Sequence, residues 1–225
     1  MVLEFTFNNK KFYGEQDAWH RANGNSTLRM QYKLNEDSVV FDIGGYEGWY
    51  SEQLFKKFKC NIFIFEPYKP FYEVLENKFK DNDKVRTFNY GVDAKTETKE
   101  LFISGDSSSV FDDEIENLNN GFGFQGKTEI QIKSFKEVYE ELNIDTIDLL
   151  AINTEGCEYT TIPHILDNGY ANKIKNFQIQ FHCHVDAQFP DGVEKEVEKV
   201  RDQLSKTHQL DWSYEWTFDN WSLIE

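Results

Sequence analysis

The chain has 225 residues, a formal net charge of −16 and an isoelectric point near 4.7. That length suits one α/β domain with a sizeable core, and 20 Phe and 11 Tyr argue against general disorder. The acidic balance disfavours an extended nucleic-acid footprint, which needs clustered Lys and Arg.

Residues 1–37 read as an N-terminal extension. Leu3, Phe5 and Phe7 alternate with Glu4 and Thr6, a short strand pattern. Residues 17–21 and 26–34 read as helical pieces. In a nucleotide-type α/β fold such an extension covers the mouth of the site as a cap. Trp19, His20, Arg21 and Arg29 would then reach a ligand; the plainer reading makes them surface and packing residues. The rest of the chain, 38–225, reads as one domain.

Val39, Val40, Phe41 and Ile43 are apolar, three of them β-branched, as a buried parallel strand wants. Asp42 sits near the carboxyl end, and Gly44, Gly45, Tyr46 and Gly48 follow before a helix over 49–59. A dinucleotide fingerprint would need glycine where Ile43 stands. An acid beside the loop would repel a pyrophosphate and suits a cationic amino-acid ligand better. The aminoacyl end of S-adenosylmethionine (SAM), with its ammonium and sulfonium, is such a ligand. The alternative is a tight strand–helix turn with no ligand.

A second buried strand, 61–65, runs into Glu66 and is stopped by Pro67. An acid at that strand tip can hold both hydroxyls of a ribose. An amphipathic helix over 71–79 follows, with Phe71, Val74, Leu75 and Phe79 on one stripe. A third strand over 85–90 leads to Gly91, Val92 and Asp93, where an adenine ring would lie. Segments 100–104 and 128–132 alternate like strands. Between them the irregular, Gly- and Ser-rich stretch near 105–127 reads as a substrate-side lid. Ser134 and Glu137 form a capping box for a helix over 135–142. A strand over 147–153 delivers Asn153, Thr154, Glu155 and Gly156. The next strand, 177–183, delivers His182 and His184. A helix opening at Asp191 carries Val193, Val197, Val200 and Leu204 on one face. Segments 210–216 and 221–224 form a terminal hairpin around Phe218, Asp219 and Asn220.

Repeated βα units give a doubly wound, mostly parallel seven-stranded α/β sheet, into which the C-terminal hairpin inserts one antiparallel strand. Ligands bind such sheets outside the carboxyl ends of the strands. Asp42, Glu66, Asn153, Glu155, His182 and His184 all fall on that edge.

The segments around Asp42, Gly44 and Gly48, Glu66-Pro67, and I-D-L-L-A-I-N-T-E-G-C-E over 147–158 resemble the FkbM family of class I SAM-dependent methyltransferases. The similarity spans about 38–185, and the 147–158 segment is its most specific part. The resemblance implies a Rossmann-like methyltransferase fold, SAM as cofactor with S-adenosylhomocysteine (SAH) as product, and O-methylation of a hydroxyl, often on sugars of glycans, capsules or nucleotide-linked precursors. It assigns Asp42, Gly44 and Gly48 to the SAM loop, Glu66 to the ribose, and Glu155 to the transfer site. Gly45, Tyr46, Gly91, Val92 and Asn153 complete the expected cofactor set. The chain departs from the family at Asn153 and Gln180, where acids are usual, which argues against an inherited metal site.

Methyl transfer to a hydroxyl is helped by a general base. His182 is the first expectation, as a neutral imidazole near pH 7; His184 is second and Glu155 third. Strand alternation would face His182 and His184 to one side. His182, His184 and Asp186, with Glu155, are also metal-capable, but a divalent metal is the less favoured reading and no metal residue is assigned. Competing functions are a methyltransferase for RNA or protein, a non-catalytic SAM-fold binding protein and, further off, a nicotinamide dehydrogenase. The expected partner is a small molecule or glycan, with no nucleic acid, and the hairpin and aromatics are compatible with a homodimer. Three widely spaced cysteines without a C-x-x-C pair argue against disulfides. With no membrane-length apolar run and no signal-peptide core, the expectation is a cytoplasmic protein.

Overall fold

The computed structural model describes residues 2–7, 10–111 and 125–224. Most of the lid expected near 105–127 lies outside them. In chain order come β1 (Leu3–Phe7), β2 (Lys10–Gly14), α1 (Gln16–Arg21), β3 (Val39–Ile43), α2 (Trp49–Phe58), β4 (Asn61–Phe65), α3 (Lys69–Phe79), β5 (Val85–Phe88), β6 (Gly91–Asp93), β7 (Glu97–Ile103), β8 (Gly126–Ser134), α4 (Phe135–Leu142), β9 (Leu149–Ile152), α5 (Glu158–Asp167), β10 (Asn176–Ile179), α6 (Val193–Leu204), β11 (His208–Tyr214) and β12 (Phe218–Leu223).

The main sheet has seven strands in the order β11-β12-β10-β9-β3-β4-β5. β3, β4, β5, β9 and β10 run parallel, and β12 inserts antiparallel between β10 and β11. The alternation of each strand divides the core in two. Phe41, Ile43, Leu150, Ile152, Phe177 and Ile179 pack on one face with Phe135, Val138, Ile162, Val197 and Leu204 from α4, α5 and α6. Val40, Ile62, Ile64, Leu149 and Ala151 pack on the other with Leu54, Leu75 and Phe79 from α2 and α3. Apolar side chains on both faces are what a parallel sheet covered by helices requires. Half of the capping box at α4 is formed, with the Glu137 amide donating to Ser134 Oγ at 3.2 Å, while the Ser134 amide donates to Thr96 Oγ1 instead of the Glu137 side chain. Among the described residues no helix is long and apolar enough to cross a membrane.

Several elements differ from the sequence reading. The N-terminal strand is half of a hairpin, β1 with β2. Residues 26–34 hold only one 3-10 turn, Leu28–Met30. There the Thr27 hydroxyl donates to the carbonyls of Ala22 and Asn23, a local bonding that competes with helix formation. The alternating segments on either side of the expected lid pair with each other and with β6 in a separate sheet, β6-β8-β7. β10 ends at Ile179, so His182 and His184 stand on a loop. The His182 amide donates to Glu158 and its carbonyl accepts from the Tyr159 hydroxyl, so side chains take the bonds a ladder would have used. The terminal hairpin turns at 215–217 rather than at 218–220. Asp219 is buried in β12 because Arg201 donates to both its oxygens, at 2.8 and 3.0 Å.

Candidate active site

A cleft opens at the carboxyl ends of β3, β4 and β9. Gly44 and Tyr46 from the turn after β3, Glu66 after β4, and Asn153 and Glu155 after β9 line one side. Gly91 and Val92 of β6 line the other, joined by Leu101, Ile130 and Ile132 of the second sheet. Tyr68 and Phe71 close the mouth; the Phe71 ring meets Tyr46 at 4.5 Å and Tyr68 at 5.0 Å edge to face.

The turn after β3 keeps its shape through glycine. Gly44 has φ +85°, and a Cβ there would overlap the carbonyl oxygen of Asn153. Gly48 has φ +76°, with Leu75 and Phe79 where its Cβ would be. Asp42 is not on the cleft wall. Ile43 is the last strand residue, so alternation turns Asp42 toward α2, where the Ser51 hydroxyl donates to it at 2.5 Å. Burial raises the Asp42 carboxyl to about 6, against the Ser51 bond and the nearby Arg29. Gly45 and Gly48 likewise stand behind the wall, packed on Ile64, Leu75 and Phe79. Of the N-terminal residues read as candidate ligand contacts, Trp19 is buried against Trp212, Tyr214 and Phe218. Arg29 stacks on Tyr50 and Phe218 and donates to Gln178. His20 and Arg21 are exposed.

Glu66 is buried with one edge on the cleft. It accepts the Tyr46 amide at 2.9 Å and the Tyr68 amide at 2.8 Å. Burial outweighs these two bonds and raises its carboxyl to about 7. Each of its oxygens keeps a lone pair for a further donor.

Beyond Glu66 the edge becomes ionic. Glu155 has φ +52°, a left-handed conformation uncommon outside glycine and frequent at functional sites. Its Oε1 lies 3.0 Å from His182 Nε2 and its Oε2 3.9 Å from His184 Nδ1. The first distance is that of an ion pair, but the N–H points off the line, and Nε2 has no aligned hydrogen-bond partner. On its other side His182 Nδ1 is 2.9 Å from Glu158 Oε1. The two imidazoles meet edge to face at 5.4 Å. They do so as loop residues, not through strand alternation.

Burial alone would lower the pKa of His182, yet the carboxylates of Glu155 and Glu158 push it up to about 10. The upward shift favours the charged ring and counts against a neutral base at His182. Burial and the charge of His182 hold His184 below the ordinary imidazole value, against Glu155 and Glu158. Its buried Nε2 has no hydrogen-bond partner among the described residues. Burial would raise Glu155, but His182 and His184 lower it, so it stays a carboxylate. Of these three residues only Glu155 lines the cleft. Among the described residues no group of three His, Cys, Asp or Glu side chains is placed to hold a metal ion.

The cleft fits SAM. Among the described residues Asn153 Oδ1 is buried without a hydrogen-bond partner, an acceptor that an ammonium would satisfy. Glu66 offers acceptors to vicinal hydroxyls, and the apolar wall of Val92, Leu101, Ile130 and Ile132 suits a flat ring. Two features were not read from the sequence. Glu158 lies inside the E-G-x-E segment, and that spacing was the signal for it. The wall from β7 and β8 depends on a long-range pairing that leaves no local mark.

The sheet order, with its one antiparallel strand, and the cleft at its carboxyl edge define a class I SAM-dependent methyltransferase. A profile described as the methyltransferase FkbM domain matches residues 42–214, and the chain belongs to that family. No curated protein matches the chain in sequence. Among solved structures, a fibrillarin/Nop5p complex aligns at 12% identity and TM-score 0.53, covering 92% of this chain and 82% of that one. The Methanococcus jannaschii fibrillarin pre-rRNA processing protein aligns at 7% identity and TM-score 0.50, covering 99% and 82%. At these identities the likeness is one of fold.

Proposed function

We propose that the enzyme O-methylates a hydroxyl of a sugar unit, in a glycan, a capsule or a related small molecule. The observation that carries this reading is Glu155: a carboxyl group on the cleft, with His182 Nε2 3.0 Å from its Oε1, where a hydroxyl can donate its hydrogen bond. SAM supplies a methyl group on a sulfonium, open to in-line attack. Glu66 holds the ribose, Gly91 and Val92 flank the adenine, and Gly44, Tyr46 and Asn153 receive the aminoacyl end. Asp42, Gly45 and Gly48 serve the same end by shaping the turn. Glu155 accepts the hydrogen bond of the attacking hydroxyl and aligns it, an effect that supplies much of the acceleration in such reactions. The hydroxyl proton leaves late in the step, to Glu155 or to the neutral imidazole of His184 beside it; general-base help of this kind is worth about 10² to 10⁴ in rate. His182 keeps Glu155 charged.

No Lys or Arg is among the described residues lining the cleft, which favours an uncharged acceptor over a phosphate-bearing one. Residues 1–37 are taken as a cap, the stretch near 105–127 as a lid, and the compartment as the cytoplasm, where three free thiols stay reduced. The test is a screen with SAM for SAH release, across neutral oligosaccharides, nucleotide-linked sugars, RNA and protein. Turnover is expected on a neutral oligosaccharide, with the product one methyl heavier and the signal lost in Glu155→Gln. Turnover confined to RNA or protein would overturn the sugar reading.

A further inference from the structure

Glu158 is the most enclosed acid around the site, with no exposed surface, and it does not line the cleft. Four donors converge on it. Oε1 accepts the His182 amide and faces His182 Nδ1, both at 2.9 Å. Oε2 accepts the Gly156 amide at 3.0 Å and the Thr154 hydroxyl at 3.2 Å. Two of the four, the backbone amides of His182 and Gly156, can only donate, one to each oxygen. Those donors belong to the two loops that build the transfer site, 153–157 after β9 and 180–185 after β10. Glu158 itself is the first residue of α5, where the helix dipole favours an acid.

We infer that Glu158 is a positioning residue of the transfer site: it ties the Glu155 loop to the His182 loop and fixes the imidazole with Nδ1 toward itself, leaving Nε2 3.0 Å from Glu155 Oε1. This deepens the proposed function and rests on it only for the role of Glu155. The arrangement is that of a carboxylate fixing the far nitrogen of a histidine so that its near nitrogen acts. It also accounts for the left-handed backbone at Glu155, because the next amide, Gly156, is held by Glu158 Oε2. Four groups face His182: Glu155 from the loop after β9, Glu158 from α5, His184 from its own loop, and the Tyr159 hydroxyl, which donates to its carbonyl at 2.9 Å. Neither Tyr159 nor the neutral His184 supplies the negative charge that keeps the ring protonated, so removing the charge of Glu158 must release the proton at lower pH.

The test is NMR titration of protein labelled at histidine, with the His182 signals assigned by their loss in His182→Gln. In the wild type His182 is expected to be doubly protonated at pH 7.5, with a slowly exchanging Nδ1–H and a midpoint above pH 9. In Glu158→Gln the midpoint is expected to fall by at least one pH unit, while the thermal shift given by SAH is unchanged. A wild-type ring that is neutral at pH 7.5, or a midpoint unmoved in Glu158→Gln, would overturn the inference. If the variant does not fold, the wild-type signals decide: a fast-exchanging Nδ1–H overturns it and a protected one supports it. A missing SAH shift in the wild type would count against the proposed function while leaving the His182 result in support of Glu158.

Discussion

At Glu66 burial and function pull against each other. The carboxyl must be charged to accept two hydroxyl donors well, yet its surroundings raise it to about 7 before any ligand arrives. Ligand that binds the charged form must then displace a proton whenever the pH is below that value. SAH affinity is expected to be flat above pH 8 and to weaken roughly tenfold per pH unit below about 7. Calorimetric titration between pH 5.5 and 8.5 measures this, and a flat profile throughout would remove Glu66 from the binding site. Glu66→Gln should bind weakly at every pH. Asp42, raised to about 6, titrates lower and has no cleft contact, and its charge is the smallest cause of the raised Glu66 carboxyl, so Asp42→Asn should move the midpoint only slightly down.

The turn between β3 and α2 shows what a single element demands. At Gly48 the backbone is left-handed and the space for a Cβ is taken by Leu75 at 2.5 Å and Phe79 at 2.9 Å. Gly48→Ala adds a backbone cost of about 1 kcal/mol to an overpacking cost of about 1–3 kcal/mol. Urea unfolding should therefore show a loss of about 2–4 kcal/mol, with weaker SAH binding as the turn shifts. A loss under 1 kcal/mol would mean that α3 yields easily. Elements of this kind were legible in the sequence. The central parallel strands β3, β4 and β9 are short, mainly apolar runs, each followed by a polar residue or glycine, and α4 carries both period and a cap. Glu66, Asn153 and Glu155 followed from strand ends alone. What was not legible depended on partners far along the chain. Asp42 lies one residue before the end of β3, and only its bond with Ser51 of α2 shows which side it faces. His182 was given the pKa of a free imidazole, because the sequence does not say that Glu155 and Glu158 fold onto its two nitrogens. The second sheet was two alternating segments whose mutual pairing has no local sign. Phe218, Asp219 and Asn220 have the composition of a turn, and partners far along the chain, Arg201 on Asp219 and Tyr32 on Asn220 among them, hold them as strand.

Across the whole molecule, the N-terminal hairpin shares its core with the catalytic sheet. Phe12 of β2 is fully buried in the cluster that holds Phe41, Ile152 and Phe177, and its ring meets Trp216 edge to face at 5.5 Å. Lys10 of the same strand pairs with Asp186 at 2.7 Å, just past His184, and Phe7 lies 6.3 Å from the His184 ring. Phe12→Ala is expected to cost about 3–5 kcal/mol by the cavity it leaves. It should also raise solvent exchange at His184, read by NMR in the same labelled protein. A loss under 1 kcal/mol would make the hairpin an independent appendage.

The place of β12 also has a consequence for the order in which this protein is made. β10 has an unpaired edge until residues 218–223 leave the ribosome, because β12 and not β11 is its neighbour. Trp19 waits for Trp212, Tyr214 and Phe218, and Gln16 for a carbonyl at Trp216, 200 positions downstream. Contacts of such separation are slow to form, and an open strand edge invites the wrong partner. A nascent chain paused near residue 210 thus carries an unclosed sheet and an undocked N-terminal helix, and needs shielding until one terminal hairpin completes both.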